Sequence, residues 1–150
     1  PYAGIFRSIL YHKADAGFRR YPTADHPDEY NCLCLCSGSL GANTENNVAD
    51  IIRTYCDRIA FAHIRNLRHY PNGDFSEVSH RDCDGDTGIL EIMRAYHDCG
   101  YTGYVRPDHG RHLWGEETHC RPGYGLYDRA LGIMYLWGCW DMLERLNGKI

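Results

Sequence analysis

Beyond residue 30 the chain alternates between short apolar runs and longer segments whose apolar residues recur at helical spacing. Residues 31–36, "NCLCLC", make a compact apolar run closed by Ser37, Gly38 and Ser39, which predicts a buried strand followed by a loop. Val48, Ile51, Ile52 and Tyr55 then recur three and four residues apart behind Asn46 and Asn47. Either asparagine can cap a helix, so the pattern predicts one running through Asp57. Residues 58–66, "RIAFAHIRN", predict a second strand, apolar on both faces. From about Leu67 to Asp86 the chain is rich in His, Asp and Gly and reads as a long polar loop. Ile89, Ile92, Met93 and Tyr96 form the stripe of a helix over 87–99, with Gly100 as its stop. Residues 101–108 predict a third strand, 110–125 a Gly-rich loop, and 126–146 a last helix with Leu131, Met134, Tyr135, Trp137 and Leu143 as its stripe. Residues 1–29 mix charge, Pro and Gly without a period; a short helix around 14–20 is the one element expected there.

Strands that are apolar on both faces and alternate with helices predict an α/β fold, a parallel sheet built of βα units. The expected organisation is a leader segment, 1–30, and three βα units over 31–147. Chemistry in such folds gathers at the carboxyl ends of the strands. The first strand ends in Cys36, followed by Ser37. The second reaches His63, followed by Arg65 and Asn66. The third ends in Asp108, followed by His109. A thiol, an imidazole and a carboxylate are thus delivered to one rim by three successive strands. These are metal-ligand types. Two other readings of the same residues stay open. Each can be an ordinary core or cap residue, and Cys36 can be a nucleophile with His63 or His109 as its base.

Composition narrows the field. A chain of 150 residues suits one domain, and its apolar and charged fractions, 43% and 24%, are ordinary. The net charge of -4 provides no basic field, so nucleic acid is not an expected partner. No apolar run approaches the roughly 20 residues of a membrane span. The opening "PYAGIFRSIL" has no long apolar stretch with a cleavage site, so a cytoplasmic protein is expected. Eight cysteines raise the question of disulfides. Cys32, Cys34 and Cys36 would share one strand face about 6.6 Å apart, a poor geometry for bridging. The expectation is a reduced protein without disulfides, with Cys32 and Cys34 packed behind Cys36. "DCDGDTG" opens like a calcium loop, but counting from Asp82 its sixth position is Thr87 and its twelfth Met93, so the pattern fails. There is no Cys-x-x-Cys pair.

Four segments, "CSGSLGANTENN", "FAHIRN", "RPDHGRHLWGE" and "RPGYGLYDRALG", resemble the mannonate dehydratase family in order and near-right spacing, over about residues 31–147. The resemblance implies a TIM-type (β/α)8 barrel, of which this chain would hold the last three βα units. It also implies a divalent metal, Mn²⁺ or Fe²⁺, and a reaction that removes water from D-mannonate to give 2-keto-3-deoxy-D-gluconate. By the same resemblance Cys36, His63 and Asp108 match metal ligands, and His109 and Tyr124 the acid and base. Arg65 and Ser37 fall at substrate-binding positions, and His80 also fits the family pattern. The family's metal site has a further histidine on an earlier strand, which nothing here matches; His12 and His26 lie in a segment without a matching motif. The implied partners are a sugar acid and the rest of the barrel, from the same gene or a separate chain; homo-oligomer formation is left open. Thiolate, imidazole and carboxylate together suit Zn²⁺ or Fe²⁺ by ligand softness, so Fe²⁺ satisfies both arguments. The alternatives are another metal-dependent barrel isomerase or epimerase of sugars, or a binding module without catalysis.

Overall fold

The computed structural model describes residues 32–148. The helix expected around 14–20, and His12 and His26, lie outside them. The candidate site residues all belong to one compact unit, Cys34–Ile150.

Strand β1 (Leu33–Cys36) runs into a short helix α1 (Ser37–Gly41), followed by α2 (Val48–Tyr55), β2 (Ile59–Ile64), β3 (Asn66–His69) and β4 (Phe75–Val78). Helix α3 (Ile89–Asp98), β5 (Tyr104–Pro107) and the long α4 (Leu126–Leu146) complete the order. The main sheet has the order β1-β2-β5. β2 and β5 are parallel, with Ala62 opposite Val105 and His63 opposite Arg106. This is the α/β arrangement of βα units that the apolar pattern predicts.

One face of the sheet is packed. Ala62 and Ile64 of β2 are wholly buried, as are Ile52 of α2 and Ile89 of α3. Each such isoleucine contributes on the order of 1.5–3 kcal/mol by leaving water. Asn47 caps α2 by accepting the Asp50 N–H at 3.1 Å, an arrangement worth about 1 kcal/mol. Helix α3 ends as its glycine predicts. Gly100 takes φ +70° and donates to the His97 carbonyl at 3.0 Å, while Tyr101 N–H reaches the Tyr96 carbonyl at 3.0 Å. The two tyrosine rings meet at 4.8 Å, the apolar contact that accompanies this type of helix end.

Four expectations are corrected. The stretch after β2 is not a plain loop: β3 and β4 form an antiparallel hairpin, with Leu67 opposite Glu77. Its strands are too short and too charged to show an apolar period. Asn66 stabilises it instead, its side-chain amide donating to the Ser79 and Arg81 carbonyls at 3.0 and 2.8 Å. Second, Cys56 and Cys99 form a disulfide with Cα atoms 6.3 Å apart. They occupy the entries to β2 and β5, and adjacent parallel strands bring those entries side by side. Third, Cys32 and Cys34 are exposed rather than packed. Cys34 lies on the sheet face that carries His63, opposite the helix-covered face. Fourth, of the five residues expected in the stripe of α4, Leu131, Met134 and Trp137 are exposed, and Leu143 is buried. That helix is apolar nearly all round, so its period cannot say which side turns inward. The side is chosen by Asp128 and Gly132: a side chain at Gly132 would put a Cβ 2.5 Å from His80 Nδ1. Among the described residues no helix is long and apolar enough to cross a membrane.

Candidate metal centre

Three strand ends build the centre. Cys36 closes β1 and also caps α1, its Sγ accepting the Ser39 N–H at 3.5 Å. His63 lies one residue before the end of β2, and Asp108 directly follows β5. One ligand atom from each of Cys36, His63 and Asp108 falls within 4.8 Å of the others. The Cys36 thiol meets Asp108 Oδ2 at 3.6 Å, and His63 Nδ1 stands 3.2 Å from Asp108 Oδ1. Asp108 is buried, yet two guanidinium groups attend it: Arg106 Nη2 at 3.3 Å from Oδ1 and Arg65 Nε at 3.6 Å from Oδ2. Burial pulls the His63 ring below its ordinary pKa, against the opposing pull of Asp108. Near neutral pH it therefore presents a neutral imidazole with a lone pair, the form a metal takes. Cys34, one pleat deeper on the same face, stands 3.7 Å from His63 Nε2. Partial loss of hydration against the sheet raises its thiol pKa, with the neighbouring Cys36 and Asp108 adding to the rise, which keeps it protonated.

The residues around the cluster fall into two groups. Arg65 and His109 are gathered with it. Arg65 Nη1 pairs with Glu77, and lies 3.0 Å from His109 Nδ1. His109 Nδ1 is 2.8 Å from Glu77 Oε1, and its Nε2 is 3.8 Å from Asp108 Oδ2. Arg65 Nε is buried and makes no hydrogen bond, standing 3.6 Å from Asp108 Oδ2 as an ion pair. Gly38 is what lets Arg65 lie there: a Cβ on Gly38 would stand 2.9 Å from the Arg65 Cβ. Ser37 is wholly buried beneath, donating to the Arg65 carbonyl at 2.8 Å and accepting the Arg65 N–H at 2.7 Å. Its hydroxyl is thereby committed to the backbone that carries Arg65.

Tyr124 and His80 are not gathered with the cluster. Tyr124 is half exposed, with Arg129 over its ring at 5.9 Å. It is tied in through the backbone: Gly110 N–H bonds the Gly123 carbonyl at 3.0 Å, and Gly123 lies against the His109 ring. His80 is buried behind β2, where its Nε2–H donates to the Ile64 carbonyl at 2.9 Å and its Nδ1 has no partner. Burial lowers its pKa, keeping it neutral. The Gly-rich segment that carries Tyr124 is pinned from two sides. Asp128 accepts Arg111 N, Nε and Nη2 at 2.8–3.0 Å, and Glu116 accepts Leu126 and Tyr127 N–H at 2.6 and 3.1 Å in place of a helix cap.

Sequence reasoning missed Glu77 and Arg106. Arg106 could have been found: it precedes Asp108 by two and so shares its strand face. Glu77 could not, because it reaches the site on a hairpin that the residue pattern does not reveal.

The model of one protein family, D-mannonate dehydratase, matches residues 7–149. Mannonate dehydratase 1 of Halalkalibacterium halodurans is 56% identical over 149 residues, which are 99% of this chain and 39% of that protein. The mannonate dehydratase of Bacillus subtilis is 57% identical over 150 residues, 99% of this chain and 40% of the relative. Among solved structures, mannonate dehydratase from Streptococcus suis serotype 2 superposes with a TM-score of 0.76 at 36% identity, covering 83% of this chain and 36% of that one. The chain thus spans about two-fifths of the length of these relatives.

Proposed function

The chain belongs to the D-mannonate dehydratase family, and from that premise we propose that it supplies the last βα units of a TIM-type barrel that removes water from D-mannonate to give 2-keto-3-deoxy-D-gluconate. The observation that carries this reading is the convergence of Cys36, His63 and Asp108 from three strand ends to within 4.8 Å.

The donor set fits a divalent cation. A thiol and a carboxylate held 3.6 Å apart, beside a neutral imidazole, become two anionic ligands and one neutral one when the thiol loses its proton. Cys36, His63 and Asp108 would hold Mn²⁺ or Fe²⁺, and the cation, when bound, would offset the negative charge that builds on the substrate as its C2 proton leaves. Arg65 lies beside the cluster and is suited to the substrate carboxylate, which a planar guanidinium can grip through two parallel hydrogen bonds. His109 and Tyr124 divide the proton transfers, one removing the C2 proton and the other protonating the departing C3 hydroxyl. His109 is the residue nearer the cluster, with Nε2 facing Asp108.

The reading is tested by assaying keto-deoxy acid from D-mannonate with Mn²⁺ or Fe²⁺ supplied. The 150-residue chain by itself is expected to form negligible product, because three strands do not close an eight-stranded barrel. Mixed with the part of a full-length relative that it does not cover, it is expected to turn over. Isomerised sugar acid in place of keto-deoxy acid would overturn the assignment.

A further inference from the structure

Glu77 stands on β4, in the hairpin, and touches two residues of the site at once. Its Oε1 pairs with Arg65 Nη1 and lies 2.8 Å from His109 Nδ1, while Nη1 and Nδ1 are themselves 3.0 Å apart. The three atoms form a closed triangle. An ionised carboxylate only accepts and a guanidinium only donates. A contact of 2.8 Å between a carboxylate oxygen and a bare ring nitrogen would oppose two lone pairs, whereas a protonated Nδ1, though 3.0 Å from the Arg65 donor, lets both donors end on Oε1; the geometry favours the Nδ1–H form. Glu77 Oε1 is then the one acceptor in the triangle, taking hydrogen bonds from both Arg65 and His109.

We infer that Glu77 is a positioning residue that fixes His109 as its Nδ1–H tautomer and holds Arg65 beside it. The consequence is directional. With Nδ1 occupied, Nε2 is the ring nitrogen left with a lone pair, and Nε2 is the one that faces Asp108, 3.8 Å from its Oδ2. A carboxylate behind a histidine sets which nitrogen works and how the ring is turned. The same carboxylate aligns the guanidinium, so one side chain organises both the proton-transfer group and the group that grips the substrate. That His109 transfers a proton rests on the function proposed above; the tautomer does not.

The test uses ¹⁵N-histidine NMR of the native polypeptide that carries this chain, without metal, at about pH 8.5, roughly two units above an ordinary imidazole pKa. The wild-type His109 ring is expected to show Nδ1 protonated and Nε2 bare. Glu77→Gln keeps an acceptor oxygen and should keep that pattern. Glu77→Leu removes the acceptor and should move the proton to Nε2. A wild-type ring protonated at Nε2, or a Leu variant that still holds the proton on Nδ1, overturns the inference. A kinetic arm adds the site: Glu77→Leu should lower kcat/KM for D-mannonate about 10–100-fold, the scale of losing an orienting partner, with Glu77→Gln in between. Unchanged kcat/KM in the Leu variant contradicts the role. If the wild-type polypeptide forms no keto-deoxy acid, the proposed reaction fails, while the NMR result still decides what Glu77 does.

Discussion

The two ends of the three-stranded sheet use cysteine in opposite ways. At the base, Cys56 and Cys99 lead into β2 and β5 and are joined to each other. At the rim, Cys36 keeps its thiol, which meets Asp108 and has His63 close by. At the base Tyr96 packs on Tyr101 beside a capped helix end. The rim is crowded with charge, as Arg65, Arg106, Asp108, Glu77 and His109 all lie within a few contacts of the thiol. One residue type is therefore bridged where parallel neighbours enter the sheet and kept as a thiol where the strands leave it. Position along the strand decides which.

If this division holds, substitutions at the two ends should fail in different ways. The largest effect is expected at the rim. Asp108→Asn removes the carboxylate that Cys36, His63 and both arginines share. It should reduce kcat/KM by about 10²–10³-fold, the loss typical of one preorganised electrostatic group, and weaken Mn²⁺ binding measured by equilibrium dialysis. Wild-type metal affinity in that variant would break the comparison. At the base, Cys56→Ser opens a bridge between residues 43 apart in sequence, worth about 4 kcal/mol in the chain-entropy model. Its denaturation midpoint should drop while Mn²⁺ affinity stays as in wild type. A variant that loses metal binding as well would show that base and rim are coupled.

A smaller effect sharpens the account of the segment that carries Tyr124. Asp128 is buried and grips Arg111 through three donors. Burial alone would raise its carboxyl pKa, but the Arg111 hydrogen bonds and charge hold it below the ordinary value. The folded state thus binds this proton less readily than the unfolded chain. Its contribution is full above the unfolded pKa, near 3.8, and disappears as pH falls through the lower folded value. Asp128→Asn should cost about 1.5–3 kcal/mol at neutral pH, the scale of losing hydrogen bonds to a charged group, since the Arg111 side chain left behind is partly in water. The difference from wild type should shrink in acid, as read from urea midpoints across the pH range. Least of all, Asn47→Ala should cost about 1 kcal/mol by uncapping α2, with no change in the assay.

The contrast also shows what a sequence can disclose. The rim cluster was legible because each of its residues sits at the end of a strand that local apolar pattern already marks. Cys36, His63 and Asp108 needed only the rule that parallel strands end together. The disulfide was not legible: Cys56 and Cys99 meet because β2 and β5 are neighbours, and no local pattern records a neighbour. The exposure of Cys34 was hidden for a related reason. Alternation tells which face a side chain takes, but not whether a second layer covers that face. The hairpin was lost in a polar stretch whose order comes from the Asn66 amide and strand pairing, and Glu77 was lost with it.

The central claim is that the rim cluster is a divalent-metal site serving dehydration. The most direct measurement is keto-deoxy acid release from D-mannonate by the native polypeptide carrying this chain, stripped with chelator and then titrated with Mn²⁺, side by side with Cys36→Ala. The account predicts no product after stripping, activity restored as Mn²⁺ is added, and little restoration in the variant. Full activity in chelator, or a Cys36→Ala protein that regains wild-type turnover at the same Mn²⁺ concentration, would contradict it.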